Sequence, residues 1–192
     1  ATATVRSITN EPIFVLDSNP APQWQALSKP KVHFVEIQAE DGTLLNGRLV
    51  EPVNREPGRK YPVVVATYAG PTSQVVRDSF SRGDALTIYL TQRGYGVFSL
   101  DNRGVPGRDR KFARAMHNQF GVIEVADQLA GGRWLGTQPW VDPGRIGVWG
   151  WSYGGYASAM LIMAKDSPFA CAVAIAPVTD WSLYDTHYTE RY

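Results

Sequence analysis

The sequence has few of the residues that would cross-link the chain or attract a charged partner. Its one cysteine is Cys171, so an internal disulfide is excluded and the redox compartment is left open. Because Cys171 lies in an apolar, strand-like run, we expect it to be an inert core residue. The 19 basic and 18 acidic residues nearly cancel, which gives no electrostatic case for a nucleic acid or a membrane surface as a partner.

Long apolar runs are missing too. No uninterrupted run approaches the roughly 20 residues of a membrane span. Residues 1–6 lack the basic region and the apolar stretch of a signal peptide, although a mature or cut product would lack them as well. We therefore expect a soluble chain without a cofactor or a metal, in a cytoplasmic, periplasmic or extracellular setting that the sequence leaves open.

The apolar segments that are present alternate in a pattern that predicts an α/β fold with a mostly parallel sheet. Two antiparallel strands, 32–37 and 44–50, are predicted to form a hairpin that turns at Asp41-Gly42. Strands and helices then alternate, with strands at 63–66, 96–100, 146–149 and 171–176 and helices at 85–93, 120–134 and 157–165. Residues 1–30 are predicted to hold one or two strands and the proline-rich, extended linker 17–22.

Three details of this pattern carry expectations about exposure. Apolar residues recur at spacings of three and four along the 120–134 helix, which predicts an amphipathic helix with Glu124 and Asp127 near its start. These apolar positions are Phe120, Ile123, Ala126, Ala130 and Trp134. The loop 102–109 is expected to be exposed. The strand 171–176 is apolar on both faces, so a sheet that ended there would have an apolar edge in need of a cover.

One motif follows a predicted strand directly: residues 150–155 read Gly-Trp-Ser-Tyr-Gly-Gly. Strand, Gly-x-Ser-x-Gly and helix in this order form the context of a nucleophile elbow. A serine on so sharp a turn adopts a sparsely allowed backbone conformation, and Gly150 and Gly154 must lack a Cβ for the strand and the helix to pass closely. We predict that Ser152 is a nucleophile and that the Tyr153 N–H points at the developing oxyanion. The alternative is an ordinary surface serine in a Gly-rich turn.

A second oxyanion donor is expected from the loop after the third strand. That loop reads Tyr68-Ala69-Gly70-Pro71. A tyrosine hydroxyl is neutral near pH 7 and can donate one hydrogen bond to an oxyanion. From its position alone, Tyr68 could equally cap the strand or pack against the core.

Histidine is scarce, which limits the choice of a base for Ser152. In this fold the catalytic groups follow the order Ser, acid, His, and His187 is the only histidine after Ser152. Because His187 lies inside 180–192, which is predicted to form the next helix, we do not expect it to be the base, nor Asp180 or Asp185 to be the acid. The two other histidines are expected to be structural or solvated: His33 and His117. The chain is therefore predicted to hold half an active site.

Three stretches together resemble the dipeptidyl peptidase IV family, a branch of the prolyl oligopeptidase clan of serine peptidases. They are the motif 150–155, the loop 68–71 and the tail 176–192, which contains Ala-Pro-Val-Thr-Asp-Trp and Tyr-Thr-Glu-Arg-Tyr. The likeness runs from about residue 31 to the end. The tryptophan before the serine and the Tyr-Thr-Glu-Arg-Tyr segment are more specific than Gly-x-Ser-x-Gly.

The resemblance implies a serine exopeptidase that removes dipeptides, usually Xaa-Pro or Xaa-Ala, from free N-termini. It implies a β-propeller, of which residues 1–30 would be the end and the linker, joined to an α/β-hydrolase domain, of which residues 31–192 would be the N-terminal part. Ser152 is then the nucleophile, and Tyr68 and the Tyr153 N–H form the oxyanion hole. The acidic pair of the propeller and the catalytic Asp and His are missing from these residues.

The same resemblance implies a pocket for the proline ring, because a rigid apolar ring suits an aromatic box. The matching residues are Tyr153, Val178, Trp181, Tyr184 and Tyr188. The alternative is that these side chains fill the core near a helix. The expected partners are peptide substrates with a free N-terminus and the rest of the parent chain or another subunit, with a homodimer as a further possibility.

Other functions stay open at the level of the sequence. A prolyl tripeptidyl peptidase, an acylaminoacyl peptidase or an esterase of the same fold would carry the same nucleophile. A non-catalytic binding subunit is the alternative from another class, because fold does not fix function. The glycines retained around Ser152 argue against a non-catalytic copy, whereas the missing acid and base favour one.

Overall fold

The computed structural model describes residues 2–18, 22–79 and 83–192. The strands are β1 Ala3–Arg6, β2 Pro12–Asp17, β3 Val32–Gln38, β4 Leu44–Val50, β5 Tyr61–Ala66, β6 Gly96–Asp101, β7 Val141–Trp151 and β8 Cys171–Ile175. The helices are α1 Pro22–Ala26, α2 Gly83–Gln92, α3 Arg110–Ala113, α4 Ile123–Gly136, α5 Tyr153–Met163 and α6 Thr186–Thr189, with a 3₁₀ turn at Trp181–Leu183. Among the described residues, no helix is long and apolar enough to span a membrane.

Six strands form one mixed sheet in the order β3-β4-β6-β5-β7-β8. The strands β3, β4 and β6 pair antiparallel in that order, whereas β5 runs parallel to β6 and to β7, and β7 runs parallel to β8. Parallel strands need a crossover connection, which α2, α4 and α5 supply. The α/β fold and the hairpin predicted from the sequence are confirmed.

The two faces of this sheet are covered unequally. On one face, Val63 and Val65 of β5 are each 1% exposed and share a buried cluster with Leu135 of α4 and Leu161 of α5. On the other face, Val64 of the same strand is only half-buried. Since a strand alternates its side chains between the two faces, the hydrophobic core lies mainly beneath α4 and α5.

The N-terminal strands β1 and β2 pair antiparallel with each other in a sheet of their own. The prediction of one or two strands in this part of the chain is therefore confirmed. The predicted linker 17–22 falls partly on residues 19–21, which lie outside the described residues. The assignment of residues 1–30 to a preceding domain stays a prediction.

Helix α5 begins four residues earlier than the sequence predicts. Its first residue is Tyr153 rather than residue 157, because the helical hydrogen bonds start at the turn itself. The Tyr156 N–H donates to the Ser152 carbonyl oxygen at 3.0 Å. The strand-turn-helix context of the Gly-x-Ser-x-Gly motif is confirmed, with no spacer between the serine and the helix.

The prediction of one helix over 180–192 is wrong. This segment forms the 3₁₀ turn and α6 instead. Asp180 Oδ1 accepts a hydrogen bond from the Ser182 N–H at 2.9 Å, and Asp185 Oδ1 accepts one from the Tyr188 N–H at 2.8 Å. Each aspartate is thus an N-cap that begins a new helical turn. The segment therefore forms two short helices, one after each cap, and does not continue as one helix.

Cys171 is exposed, so its prediction as a core residue is wrong. It lies in β8, the strand at one edge of the six-stranded sheet, where Val173 is 56% exposed. A strand is buried on both faces only if helices and neighbouring strands surround it. The apolar edge predicted at the end of this sheet is confirmed.

The loop 102–109 is exposed only in its second half. Asn102 and Val105 are 0% and 2% exposed, whereas residues 106–109 are exposed. Burial of the polar Asn102 side chain is stable because its amide group is hydrogen-bonded to Ala69 and to Gln128. Ala69 belongs to the loop 68–71 of the candidate site.

Candidate active site

Ser152 occupies the sharp turn between β7 and α5. Its backbone angles are φ 58° and ψ −116°. Residues other than glycine rarely adopt this combination, so the surrounding structure must stabilise it. The Ser152 N–H donates to the Ile175 carbonyl oxygen of β8 at 2.9 Å. This hydrogen bond helps to hold the predicted nucleophile in its strained conformation.

Three glycines surround this turn because no Cβ would fit. A Cβ on Gly150 would overlap the backbone oxygens of Gly154 and Thr67, and one on Gly154 would overlap the Thr67 oxygen. A Cβ on Gly155 would lie 2.6 Å from the Ile175 oxygen. The predicted close passage of strand and helix is confirmed, and the segment that follows β5 passes equally close.

Tyr153 presents its backbone and its side chain to different surroundings. As the first residue of α5, its N–H belongs to the amide groups that have no acceptor within the helix. The side chain is 2% exposed, and its hydroxyl donates to Glu124 Oε1 at 2.7 Å. Burial, followed by the nearby Glu124, raises the pKa of the Tyr153 phenol far above its usual value. The phenol is therefore a fixed hydrogen-bond donor.

Tyr68 lies directly after β5, in the loop predicted to supply the second oxyanion donor. Its ring centroid is 6.2 Å from that of Tyr153. A Cβ on Gly70 would lie 2.7 Å from Tyr68 Cε1 and 2.9 Å from Tyr153 Cγ, so the loop backbone packs between the two rings. Burial, and then the neighbouring Tyr184, raises the pKa of the Tyr68 hydroxyl, which therefore keeps its proton at neutral pH.

An aromatic cluster adjoins these two tyrosines, with Trp181 at its centre. The Trp181 ring centroid lies 5.4 Å from that of Tyr153 and 5.8 Å from that of Tyr184, and the ring stacks on Tyr188 at 6.2 Å. Four of the five residues predicted for the proline pocket thus come together. Val178 is half-buried in the segment before the 3₁₀ turn, and its place in the pocket stays a prediction.

Sequence reasoning missed three members of this cluster. The Phe120 ring lies 4.8 Å from Trp181, Tyr156 lies 5.4 Å from Tyr153, and Tyr192 lies 5.2 Å from Tyr188. The spacing of three residues from Tyr153 to Tyr156 places both on one side of a helix and could have indicated the second. No local signal indicates Phe120, because its partners come from distant parts of the chain.

The buried face of α4 carries polar side chains as well as apolar ones, so the face predicted from the apolar spacing is only partly right: Ala130 is 9% exposed and Trp134 packs against the core. Glu124 and Asp127 are 0% exposed and Gln128 is 1% exposed, whereas Ile123 and Trp134 are half-buried. Buried polar groups are stable only where they find partners. Arg103 supplies such a partner, because its guanidinium donates to Asp127 Oδ1 at 2.6 Å.

Glu124 and Gln128 find their partners at the candidate site. Glu124 Oε1 accepts from the Gly121 N–H at 2.6 Å as well as from the Tyr153 hydroxyl. Gln128 Nε2 donates to Asn102 Oδ1 at 2.9 Å, and Asn102 Nδ2 donates to the Ala69 carbonyl oxygen at 3.0 Å. One helix face therefore reaches both the nucleophile turn and the Tyr68 loop.

No base is hydrogen-bonded to the Ser152 hydroxyl within the described residues. His33 Nε2 bonds Glu51 Oε1 at 3.0 Å in the first hairpin, as expected of a structural histidine. His187 and His117 are exposed. In the part of the chain that the structure describes, no group of three or more His, Cys, Asp or Glu side chains could hold a metal ion.

The side of Ser152 away from α4 is open. Trp151, the residue before the serine, is 63% exposed. A cavity of about 400 Å³ lies beside it, on the sheet face that carries α2, and Thr67, Tyr68 and Gly150 are among the residues that line it. The aromatic cluster and this cavity therefore flank the predicted nucleophile on opposite sides.

Comparison with known proteins identifies the family. The profile described as the prolyl oligopeptidase family matches residues 82–192, more than half of the chain. This chain belongs to the prolyl oligopeptidase family. The match includes the serine turn and the aromatic tail, and the resemblance to the dipeptidyl peptidase IV branch is confirmed by the relatives within this family.

One relative is dipeptidyl peptidase 8 of Mus musculus. It is 40% identical to this chain over 181 residues, which are 93% of this chain and 20% of that protein. Dipeptidyl peptidase 4 of Trichophyton equinum is 35% identical over 189 residues, or 96% of this chain and 24% of that protein. The crystal structure of Porphyromonas gingivalis dipeptidyl peptidase 4 superimposes with a TM-score of 0.89 at 36% identity, over 100% of this chain and 27% of that one. The chain thus spans between 20% and 27% of the length of these relatives.

Proposed function

We propose that this chain is the part of a serine dipeptidyl peptidase that supplies the nucleophile, the oxyanion hole and part of the proline pocket. The observation that carries the proposal is the strained backbone of Ser152, at φ 58°, framed by glycines and adjoined by an aromatic cluster that is half-buried apart from the buried Tyr153 and the exposed Tyr184. Strain of this kind persists only where the structure enforces it, and it concentrates at active sites. An ordinary surface serine would need neither the strain nor the glycines.

Catalysis would proceed through an acyl-enzyme. A base takes the hydroxyl proton of Ser152 as its Oγ attacks the carbonyl carbon of the scissile peptide bond. The negative charge on the carbonyl oxygen is stabilised by the Tyr153 N–H and the Tyr68 hydroxyl. The tetrahedral intermediate expels the amine of the shortened peptide, which receives the proton from the base, and a water molecule then hydrolyses the ester to release the N-terminal dipeptide.

The proposed class of substrate follows from the aromatic cluster beside Ser152. A proline ring is rigid and apolar, so an aromatic pocket can bind it with little loss of conformational entropy. The pocket would be formed by Tyr153, Val178, Trp181, Tyr184 and Tyr188. Peptides with proline or alanine as the second residue are therefore the proposed substrates, and the smaller alanine would fill the pocket less completely.

The remainder of the protein would supply the other half of the site. Because the chain spans only a fraction of its relatives' length, we place the catalytic acid, the base and the groups that bind the free N-terminus outside these 192 residues. The partner of this chain would accordingly be the rest of the parent chain or another subunit. A homodimer is compatible with this arrangement.

The test is hydrolysis by the full-length protein of an Xaa-Pro anilide, compared with a tripeptide anilide, an acyl-peptide and a simple ester. We expect the dipeptide substrate to give the highest kcat/KM, and Ser152→Ala to lower kcat by about 10⁵- to 10⁶-fold. Preference for one of the other substrates would favour the tripeptidyl, acylaminoacyl or esterase alternative. Equal rates for the wild type and Ser152→Ala would contradict a serine peptidase.

One observation favours a second candidate, a non-catalytic binding subunit. The Ser152 hydroxyl has no base within the described residues, which a non-catalytic copy would not need. Such a subunit would bind a peptide with proline second at the aromatic cluster and leave it intact. Binding of an Xaa-Pro peptide by the full-length protein, without any cleavage that Ser152→Ala abolishes, would support this candidate over the peptidase.

A further inference from the structure

Two polar side chains on the buried face of α4 reach the two halves of the proposed oxyanion hole. Glu124 and Gln128 are four residues apart and therefore lie on the same side of the helix. Their exposed fractions are 0% and 1%. A buried polar side chain costs stability unless it is hydrogen-bonded, so the partners of this pair explain why the helix carries it.

The contact of Glu124 fixes Tyr153. Its Oε1 accepts from the Tyr153 hydroxyl at 2.7 Å and from the Gly121 N–H at 2.6 Å. The second oxygen, Oε2, is buried without a hydrogen-bond partner among the described residues. With the hydroxyl anchored in α4 and the backbone in the turn, the Tyr153 residue is held at both ends.

The contact of Gln128 fixes the Tyr68 loop through one intermediary. Gln128 Nε2 donates to the Leu100 carbonyl oxygen at 3.0 Å and to Asn102 Oδ1 at 2.9 Å. Asn102 Nδ2 in turn donates to the carbonyl oxygen of Ala69 at 3.0 Å, and Ala69 has a positive φ of 64°. A residue in this conformation needs such a restraint, and it directly follows Tyr68.

The two restrained segments also contact each other. The backbone at Gly70 lies so close to the rings of Tyr68 and Tyr153 that a Cβ there would come within 2.7 Å and 2.9 Å of them. A shift of the Tyr153 ring would therefore be transmitted to the loop that carries Tyr68. The relative position of the two donors depends on both hydrogen-bonded contacts of α4.

We propose that Glu124 and Gln128 are positioning residues, which hold the Tyr153 N–H and the Tyr68 hydroxyl at the separation that the oxyanion requires. Neither side chain touches the substrate, so each would act through another residue. The proposal rests on the peptidase function proposed above. It predicts a specific loss of transition-state stabilisation, because a misplacement of about 1 Å in a catalytic group can cost roughly 10²-fold in rate.

The hydrogen bond that Glu124 accepts needs only an oxygen acceptor, which a neutral side chain can also supply. Burial raises the pKa of the Glu124 carboxyl group, against the hydrogen bonds from Tyr153 and Gly121 that lower it. Two further ionisable groups lie near it: Asp127 on the same helix, which raises the pKa further, and Tyr156 on α5. An uncharged glutamine keeps an acceptor oxygen at the same distance along the side chain, so Glu124→Gln should retain the contact that Glu124→Met removes.

The experiment compares variants of the full-length protein with an Xaa-Pro anilide, and rates are expressed per active site titrated with a fluorophosphonate. We expect Glu124→Met to lower kcat by about 10- to 100-fold, by analogy with a misplaced oxyanion donor, with KM changed much less. The affinity of a peptidyl boronic acid, whose tetrahedral adduct places an oxygen in the oxyanion hole, should fall in parallel. Glu124→Gln should restore both quantities to within a few-fold of the wild type.

The matched control is Leu135→Ala, on the same helix and also 0% exposed. It lies eleven residues, or about 16 Å along the axis, from Glu124. This control should lower the melting temperature while leaving kcat per titrated site unchanged. If Glu124→Met fails to fold, Tyr153→Phe removes the same hydrogen bond from its other end and should lower kcat in the same way.

Each outcome decides between distinct conclusions. Unchanged kcat and boronate affinity per titrated site in Glu124→Met or Tyr153→Phe would overturn the positioning role and leave the proposed function intact. Equal losses in Glu124→Met and Leu135→Ala would also overturn it, because they would show a general effect of stability. A folded wild type that cleaves none of the peptide substrates would overturn both this inference and the proposed function.

Discussion

The two sides of Ser152, one facing α4 and α5 and the other facing α2, differ in how many of the groups of an active site they contain. On the side of α4 and α5, the sheet is buried, the aromatic rings pack against one another, and Tyr153 is 2% exposed. On the side of α2, Trp151 is 63% exposed and a cavity of about 400 Å³ reaches the serine turn. The groups that we propose to bind an oxyanion and a proline ring are thus brought together, whereas the described residues supply no base that is hydrogen-bonded to the hydroxyl.

This difference follows from where the residues lie in the sequence. The aromatic cluster joins the start of α5 to the 3₁₀ turn and α6, which follow within 40 residues, and Phe120 joins it from before α4, so the 192 residues contain the whole cluster. In an α/β-hydrolase the acid and the base follow the nucleophile on later strands. The exposed edge of β8 and the open face beside Trp151 are where we propose that those strands and their helices pack.

Among substitutions on the side of the aromatic cluster, we expect Tyr68→Phe to have the largest effect on kcat. Tyr68→Phe removes one proposed oxyanion donor and keeps the ring, so kcat should fall by about 10²- to 10³-fold with little change in KM. Because the pKa of Tyr68 is raised from its usual value of 10.0, more than half of the hydroxyl stays in the donating, protonated form up to pH 10. The wild-type kcat should therefore lose less than about twofold from the titration of this group below that pH.

Steady-state kinetics of both proteins between pH 6 and pH 10 provide the measurement. Tyr184→Phe, on the neighbouring ring at the cluster, is the matched control and should change KM rather than kcat. A Tyr68→Phe variant with the wild-type kcat would remove Tyr68 from the proposed oxyanion hole.

A smaller effect, on stability, is expected from the open side. If the rest of the protein covers this face, Trp151 becomes buried in the full-length protein, and Trp151→Ala should lower the free energy of unfolding by about 3 to 5 kcal/mol. Trp151→Phe should cost less because it retains an aromatic ring. Denaturant unfolding of the full-length protein gives both values. A cost within about 0.5 kcal/mol for Trp151→Ala, as for an exposed residue, would show that the face stays open.

The smallest effect is expected from His187. This histidine is exposed on α6, beside Tyr188 in sequence but without a hydrogen bond to Ser152. His187→Ala should leave kcat of the full-length protein within about twofold of the wild type, as for most surface substitutions. Loss of the base would instead lower kcat by about 10⁶-fold. A loss approaching that size would show that the base lies inside this chain. Both the base and the proposed oxyanion hole would then belong to these residues.

The sequence predicts the parts of this fold that depend on local patterns. The hairpin of β3 and β4 and the apolar strand β5 follow from alternation and turn residues, and the serine turn follows from the steric demands of Gly150 and Gly154. Aspartate is a residue type that favours the N-cap position, so the caps at Asp180 and Asp185 also rest on local rules. Local rules therefore place the predicted nucleophile well.

The polar face of α4 could not be predicted in this way. Hydrophobic spacing places apolar residues inward, whereas here Glu124 and Gln128 are buried because their partners come from α5 and from the loop after β6. Such partners are brought together only by the tertiary fold. The exposure of Cys171 has a similar origin, since the burial of a strand depends on what packs beside it. The buried pair that sequence rules do not predict contacts the segments of the proposed oxyanion hole, and functional sites are where such rules are expected to fail.

We propose that Ser152 is a nucleophile whose activating groups lie outside the 192 residues. The most direct test is the intact mass of the folded full-length protein before and after reaction with a fluorophosphonate, followed by peptide mapping. We expect one adduct per chain, located on Ser152 and absent from Ser152→Ala. No adduct on a folded protein, or an adduct on another residue, would contradict it.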